Sequence, residues 1–123
     1  MGLQISIRKS GDFTVLDLRG RATINHDESE LLARQLQELT ARGALKFLLN
    51  LAELTQIDSS GLSVIATTCA ALRKQGGELK FLCPRGTVLE VFKVLHLPEL
   101  IPTYEDENQA LGSFRPRSKF ARS

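Results

Sequence analysis

The sequence predicts an α/β fold in which amphipathic helices pack on a mixed β-sheet. First, residues 3–7 alternate between apolar and polar side chains, residues 13–18 are mostly apolar, and turn-forming residues lie between them at 10–12. This pattern predicts an N-terminal hairpin. Second, an apolar run at 44–51 predicts a strand buried on both faces. Third, segments with helical spacing alternate with the later strands, and such crossovers join parallel strands.

The first helix is expected over residues 27–42, after a loop at 20–26, and Gly43 marks its end. The face expected to pack on the sheet is formed by Leu31, Leu32, Gln35, Leu36 and Leu39, four of which are leucines. The central strand follows at 44–51, and a short loop is expected to connect it to the second helix.

The second helix is the most clearly marked element of the chain. It is expected to end at Gly76-Gly77, with Arg73 and Lys74 in its last turn, where cations complement the helix dipole. Its apolar face, at spacings of three and four residues, comprises Leu62, Ile65, Ala66, Cys69 and Leu72.

The remaining elements continue the alternation. A strand is expected at residues 78–82 and a last short strand near residues 100–101. A last helix is expected at 105–114. A third helix, closed by Pro98, is expected between the two strands. Its apolar face comprises Val88, Val91, Phe92 and Leu95.

A length of 123 residues with 42% apolar content fits one domain, assigned to 1–114, followed by a basic tail at 115–123. The tail is predicted to be disordered because it lacks periodicity. It contains four of the 16 basic residues, so the domain has 12 basic and 14 acidic residues. This balance argues against a nucleic-acid surface.

Cys69 and Cys83 lack metal-ligand spacing, and Cys69 falls on an apolar helix face, so both are interpreted as reduced core thiols. No metal site or cofactor is predicted. Because the chain has neither a membrane-length apolar run nor a signal-peptide pattern, we expect a cytoplasmic protein that does not insert into membranes.

Asp58-Ser59-Ser60-Gly61 stands between the central strand and the second helix. A helix start exposes backbone N–H groups and the positive end of the dipole, so the junction suits an oxyanion or a phosphate. The alternative is that these residues only cap the helix, since Asp and Ser are common N-caps.

Enzyme motifs are incomplete in this chain. The segment Gly61-Leu62-Ser63-Val64-Ile65 lacks the final glycine of a nucleophile elbow, and Ser63 is expected inside a helix. Of the two candidate bases, His26 has no third group that can be named to orient it, and His96 is expected at a helix end, as a structural or dipole-facing residue. Phosphate-cradling glycine loops are absent from the sequence. We therefore predict a protein that is not an enzyme.

A buried strand followed by Ile57-Asp58-Ser59-Ser60-Gly61-Leu62 at a helix start resembles the signature of the STAS domain, in particular of bacterial anti-sigma factor antagonists. The resemblance covers about residues 3–114 and implies a single STAS-like domain. In that family the serine directly after the aspartate is phosphorylated by a partner kinase that is also the anti-sigma factor. By position this is Ser59, with Ser60 as its neighbour.

The resemblance implies a protein that is monomeric when free. Its unphosphorylated form would bind the kinase and release a sigma factor, and a separate serine phosphatase would restore it. The expected partner-binding residues are Thr23, Asn25, Ile57, Asp58, Ser59, Ser60, Gly61 and Leu62. Ile57 and Leu62 could provide apolar contact area, or both could belong to the core.

Thr23 departs from the family pattern, which often has an acidic residue at the matching position. This departure leaves open the alternative that the chain is an accessory subunit of a membrane lipid-transport complex with no phosphate cycle. A further alternative is a partner-switching module that controls something other than a sigma factor, such as secretion or motility.

A phosphate on Ser59 adds a charge of about −1.5 to −2. The helix dipole should stabilise this negative charge at the helix start by roughly 0.3–1 kcal/mol. N–H groups of Gly61 and Leu62 are candidate donors to the phosphate. We therefore expect the fold to survive the modification and partner binding to be lost.

Overall fold

Five strands form one sheet in the order β1-β2-β3-β4-β5. The computed structural model describes residues 3–22 and 28–113. The strands are β1 Leu3–Ser10, β2 Phe13–Ala22, β3 Lys46–Ile57, β4 Glu78–Leu82 and β5 Thr103–Tyr104. The helices are α1 Glu28–Ala41, α2 Ser59–Lys74, α3 Gly86–Val94, α4 Leu97–Leu100 and α5 Glu107–Gly112.

The pairing of the strands confirms the mixed sheet. β1 and β2 are antiparallel and form the N-terminal hairpin, whereas β2 with β3, β3 with β4 and β4 with β5 are parallel. Each parallel pair is joined by a connection that contains a helix, as crossovers require.

The main core lies on one face of the sheet, where α1, α2 and α3 pack. Side chains of β2 and β3 alternate between the two faces, so Leu16 and Leu49 enter this core while Val15 and Leu48 enter a smaller cluster on the other side. Ala110 of α5 belongs to the smaller cluster. The central strand is therefore buried on both faces, as predicted.

A polar network on the second face holds α5 against the hairpin. Arg8 Nε donates to Asp17 Oδ2 at 2.7 Å, and its Nη2 donates to Glu107 Oε1 at 3.0 Å. Asn50 Nδ2 donates to Asp17 Oδ1 at 2.7 Å. The hydrogen bonds from Arg8 hold the pKa of Asp17 below its usual value.

The central strand is longer than predicted. It continues to Ile57, whereas the apolar run predicted an end at residue 51 followed by a short loop. Beyond residue 51, Leu54 and Ile57 are buried while Thr55 and Gln56 are exposed. The first part of the strand is therefore buried on both faces, and its extension is buried on one face only. Residues 20–22, predicted as a loop, pair with this extension as the end of β2.

Three further predictions in the C-terminal third of the chain differ from the structure. The last strand is Thr103–Tyr104 and not residues 100–101, and Pro98 lies inside α4 instead of closing the third helix. Leu95 was assigned to the apolar face of the third helix but follows the end of α3 at Val94 and is 48% exposed. The apolar character of 94–100 therefore belongs partly to the surface.

Candidate functional site

The site is the start of α2, which follows β3 with a single intervening residue. Asp58 has an extended backbone and is the N-cap. Its Oδ1 accepts hydrogen bonds from the backbone N–H groups of Ser60 at 3.0 Å and Gly61 at 3.2 Å. Two of the four N–H groups that a helix start leaves unpaired are thus satisfied by one carboxylate.

The two adjacent serines have different environments. Ser59 is exposed, and among residues 3–22 and 28–113 its hydroxyl has no hydrogen-bond partner. Ser60 is half-buried, and its Oγ donates to Asp58 Oδ1 at 2.5 Å. The same Oγ lies 2.7 Å from the Oγ of Ser29, a buried residue in the first turn of α1. Of the two hydroxyls, that of Ser59 is the accessible one.

The expected phosphate donors are engaged elsewhere. The Gly61 N–H donates to Asp58 Oδ1, and the Leu62 N–H donates to the backbone oxygen of Asp58 at 3.0 Å. In the unphosphorylated domain, the N–H groups that were expected to bind a phosphate on Ser59 therefore already have acceptors. A phosphate at this position would face solvent beside the Asp58 carboxylate.

Gly61 allows the first turn of α2 to approach the ends of β2 and β3. A Cβ at this position would lie 2.8 Å from the Ala22 carbonyl oxygen and 2.9 Å from Ile57 Cγ1. The same carbonyl oxygen accepts the Asp58 N–H at 3.2 Å. The position of the Ser59 turn is thus fixed by β2 as well as by β3.

An apolar groove of about 390 Å³ borders the site between α2 and the α3–α4 segment. Leu62, one turn after Ser59, lines it together with Leu95 and Leu100, and Leu100 is 61% exposed. Ile57 is instead a core residue, 9% exposed, and offers little surface to another molecule. Of the two expected apolar flanks, Leu62 is the one at the surface of this groove.

A family model describing the STAS domain matches residues 4–110. The chain belongs to the STAS domain family. The resemblance seen in the sequence is thereby confirmed, and the architecture of this STAS domain agrees with it.

Individual relatives of this STAS domain are anti-sigma factor antagonists. The anti-sigma F factor antagonist of Paenibacillus polymyxa is 28% identical over 112 residues, which cover 90% of this chain and 94% of the relative. An anti-sigma factor antagonist from Mycobacterium paratuberculosis has the same fold, with a TM-score of 0.81 at 18% identity over 94% and 96% of the two chains. The phosphorylated form of the Bacillus cell fate determinant SpoIIAA matches with a TM-score of 0.70 and 22% identity, over 93% of this chain and 100% of that chain.

Several predicted site residues come together in this STAS domain. Asp58, Ser59, Ser60 and Gly61 form one turn, and Leu62 follows them. Thr23, Asn25 and the candidate base His26 lie outside the described residues. Ser29 was missed as a site residue, because a serine at a helix start indicates only a cap until a tertiary partner is known.

Other site types find little support in the described part of this STAS domain. Within residues 3–22 and 28–113, no cluster of three His, Cys, Asp or Glu side chains is arranged to hold a metal ion. None of the helices in these ranges has the length and apolar character needed to cross a membrane.

Proposed function

We propose that this STAS domain is an anti-sigma factor antagonist that is switched off by phosphorylation of Ser59. The observation that carries the proposal is the contrast between the exposed Ser59 hydroxyl, unpaired among the described residues, and the doubly hydrogen-bonded Ser60 hydroxyl. The names of the relatives support the antagonist assignment, and a phosphorylated form of one structural neighbour supports the modification.

The proposed cycle needs two partners of this domain and no catalysis by this chain. The unphosphorylated domain binds a serine-kinase anti-sigma factor in the cytoplasm and frees the sigma factor. The kinase then phosphorylates Ser59 and releases the domain, and a serine phosphatase removes the phosphate. Between these encounters the domain is a monomer without a cofactor.

The physical basis for release is the setting of the phosphate. Because the N–H groups of Ser60, Gly61 and Leu62 already have acceptors, the added charge gains little pairing within this chain. A partner surface that covers the turn would have to desolvate that charge beside Asp58. Desolvating an unpaired anion costs several kcal/mol, and 1.4 kcal/mol already changes affinity tenfold.

The proposed partner surface combines the Ser59 turn with the neighbouring groove. It includes Asp58, Ser59, Ser60, Gly61 and Leu62, together with Thr23 and Asn25 from outside the described residues. Exposed apolar surface beside the turn, at Leu95 and Leu100, is typical of protein interaction sites. Ile57 acts in this proposal by supporting the turn from the core.

The test is intact-mass analysis after incubation with ATP and each serine-kinase anti-sigma factor from the same genome, followed by fragmentation to locate the phosphate. We expect one phosphate on Ser59, only slow transfer to Ser60 in Ser59→Ala, and normal modification of Ser10→Ala, a control with an exposed hydroxyl on β1. Affinity for the kinase should fall by about 100-fold on phosphorylation, which corresponds to about 3 kcal/mol.

Two results would contradict the proposal. Equal binding of the kinase by the phosphorylated and unphosphorylated domains would remove the switch. Absence of phosphate with every candidate kinase, from a folded domain, would favour the accessory-subunit alternative, and co-purification with a transport ATPase would identify it.

A further inference from the structure

Three side chains form a directed chain of hydrogen bonds between α1 and α2. A carboxylate can only accept, so the Ser60 hydroxyl hydrogen points to Asp58 Oδ1 at 2.5 Å. A hydroxyl has one hydrogen, so in the 2.7 Å contact between Ser29 and Ser60 the donor must be Ser29. Ser60 Oγ therefore both donates and accepts, and its rotamer is fixed from two sides.

The residue that completes this chain is buried and lies far away in the sequence. Ser29 is 6% exposed and stands 31 residues before Ser60. A buried hydroxyl without a partner is unfavourable, so Ser29 has a strong preference for this contact. The contact ties the first turn of α1 to the first turn of α2.

We propose that Ser29 biases phosphorylation towards Ser59, by holding Ser60 in a form that is a poor acceptor. This rests on the proposed function. Phosphorylation forms a bond from a serine Oγ to the γ-phosphorus of ATP and breaks the bond from that phosphorus to the ADP oxygen. The hydroxyl proton passes to a base on the kinase.

The two serines differ in what this reaction requires of them. Ser60 must break its bond to Asp58 to redirect the proton, and the bond from Ser29 occupies one of the two lone pairs of its Oγ and makes that oxygen less nucleophilic. Ser59 breaks no hydrogen bond among the described residues. Ser29 is thus a positioning residue that acts through Ser60, although it need not touch the kinase.

The test isolates Ser60 by removing the preferred acceptor. The kinase and ATP that modify the wild-type domain are applied to Ser59→Ala, and phosphate on Ser60 is followed by fragmentation mass analysis. Adding Ser29→Ala should raise the rate at Ser60 about five- to tenfold, the factor given by one hydrogen bond of ordinary net strength. Adding Ser29→Thr, which keeps a hydroxyl, or Ser10→Ala, which removes an exposed hydroxyl from β1, should leave the rate unchanged.

A second measurement needs no kinase. Amide hydrogen exchange of Ser60 and Gly61, whose N–H groups donate to Asp58, should accelerate about fivefold in Ser29→Ala, and Ser29→Thr should restore it. If the wild-type domain is never phosphorylated, the proposed function fails, and the exchange rates alone decide whether Ser29 positions the turn. Unchanged exchange, or an unchanged Ser60 rate with a working kinase, overturns the inference.

Discussion

Replacement of Gly61 by alanine should destabilise the domain, because the helix start approaches two strands at this residue. The added methyl group would lie 2.8 Å from the Ala22 carbonyl oxygen and 2.9 Å from Ile57 Cγ1. These two neighbours are partners in the β2–β3 ladder, and the Ala22 oxygen also accepts the Asp58 N–H. Neither strand can retreat without weakening the sheet, so α2 must shift outward.

The magnitude is the difference between two effects. Overpacking of a close contact costs about 1–3 kcal/mol, whereas alanine in a helix gains up to about 1 kcal/mol over glycine. A net loss of about 1–2 kcal/mol is expected. With a urea dependence of about 2 kcal/mol per molar, the unfolding midpoint should fall by about 0.5–1 M.

The matched control is Gly112→Ala at the end of α5, where an added Cβ would have no neighbour within 4 Å. Urea unfolding followed by far-UV circular dichroism compares the two variants with the wild type. We expect Gly112→Ala to be neutral or slightly stabilised. If Gly61→Ala is as stable as Gly112→Ala, the close approach of α2 to β2 is refuted.

Three further outcomes follow from named contacts. Asp58→Ala should lower the free energy of unfolding by about 1 kcal/mol. Asp58→Asn should lower it much less, because an amide oxygen can accept hydrogen bonds from the same N–H groups. Equal losses in the two variants would assign the effect to the charge of Asp58. The pKa of Asp17 is held below 3.8 by Arg8, so its stabilisation is present above that pH and lost as the pH falls through the lowered pKa. In Asp17→Asn, the free energy of unfolding should therefore fall less steeply with decreasing pH in the acid range than in the wild type. An equally steep fall in both proteins would contradict this. Gly77→Ala should destabilise more than Gly61→Ala in urea, because its Cβ would lie 2.5 Å from the Leu45 carbonyl oxygen, and an equal or smaller loss would count against this reasoning.

The local sequence was sufficient to predict α2 and its cap. Spacing of the apolar residues, an aspartate before the first turn and cations in the last turn all act within one helix, so they can be recognised without tertiary information. The end of β3 was harder to predict. Beyond Leu51 its burial depends on pairing with the end of β2, a contact between residues about 35 positions apart.

The chemistry of the site could be predicted only in part for the same reason. Asp58 and Ser59 were identified from a local motif, but the distinction between the two serines came from family resemblance. The physical distinction requires Ser29, which a linear pattern does not connect to Ser60. Leu95 was misassigned because helical spacing alone does not show where α3 ends.

At the start of α2, the contacts that stabilise the fold are separate from the hydroxyl of Ser59 that is proposed to be phosphorylated. Asp58 satisfies the helix start with its own carboxylate, so the fold needs no phosphate at Ser59. A phosphate there would add charge to a turn that is already complete, and it would strengthen few contacts within the chain. Its largest free-energy effect would then fall on whatever surface covers Ser59. A switch of this kind changes affinity without refolding, which suits a small domain whose marginal stability leaves little margin for internal rearrangement.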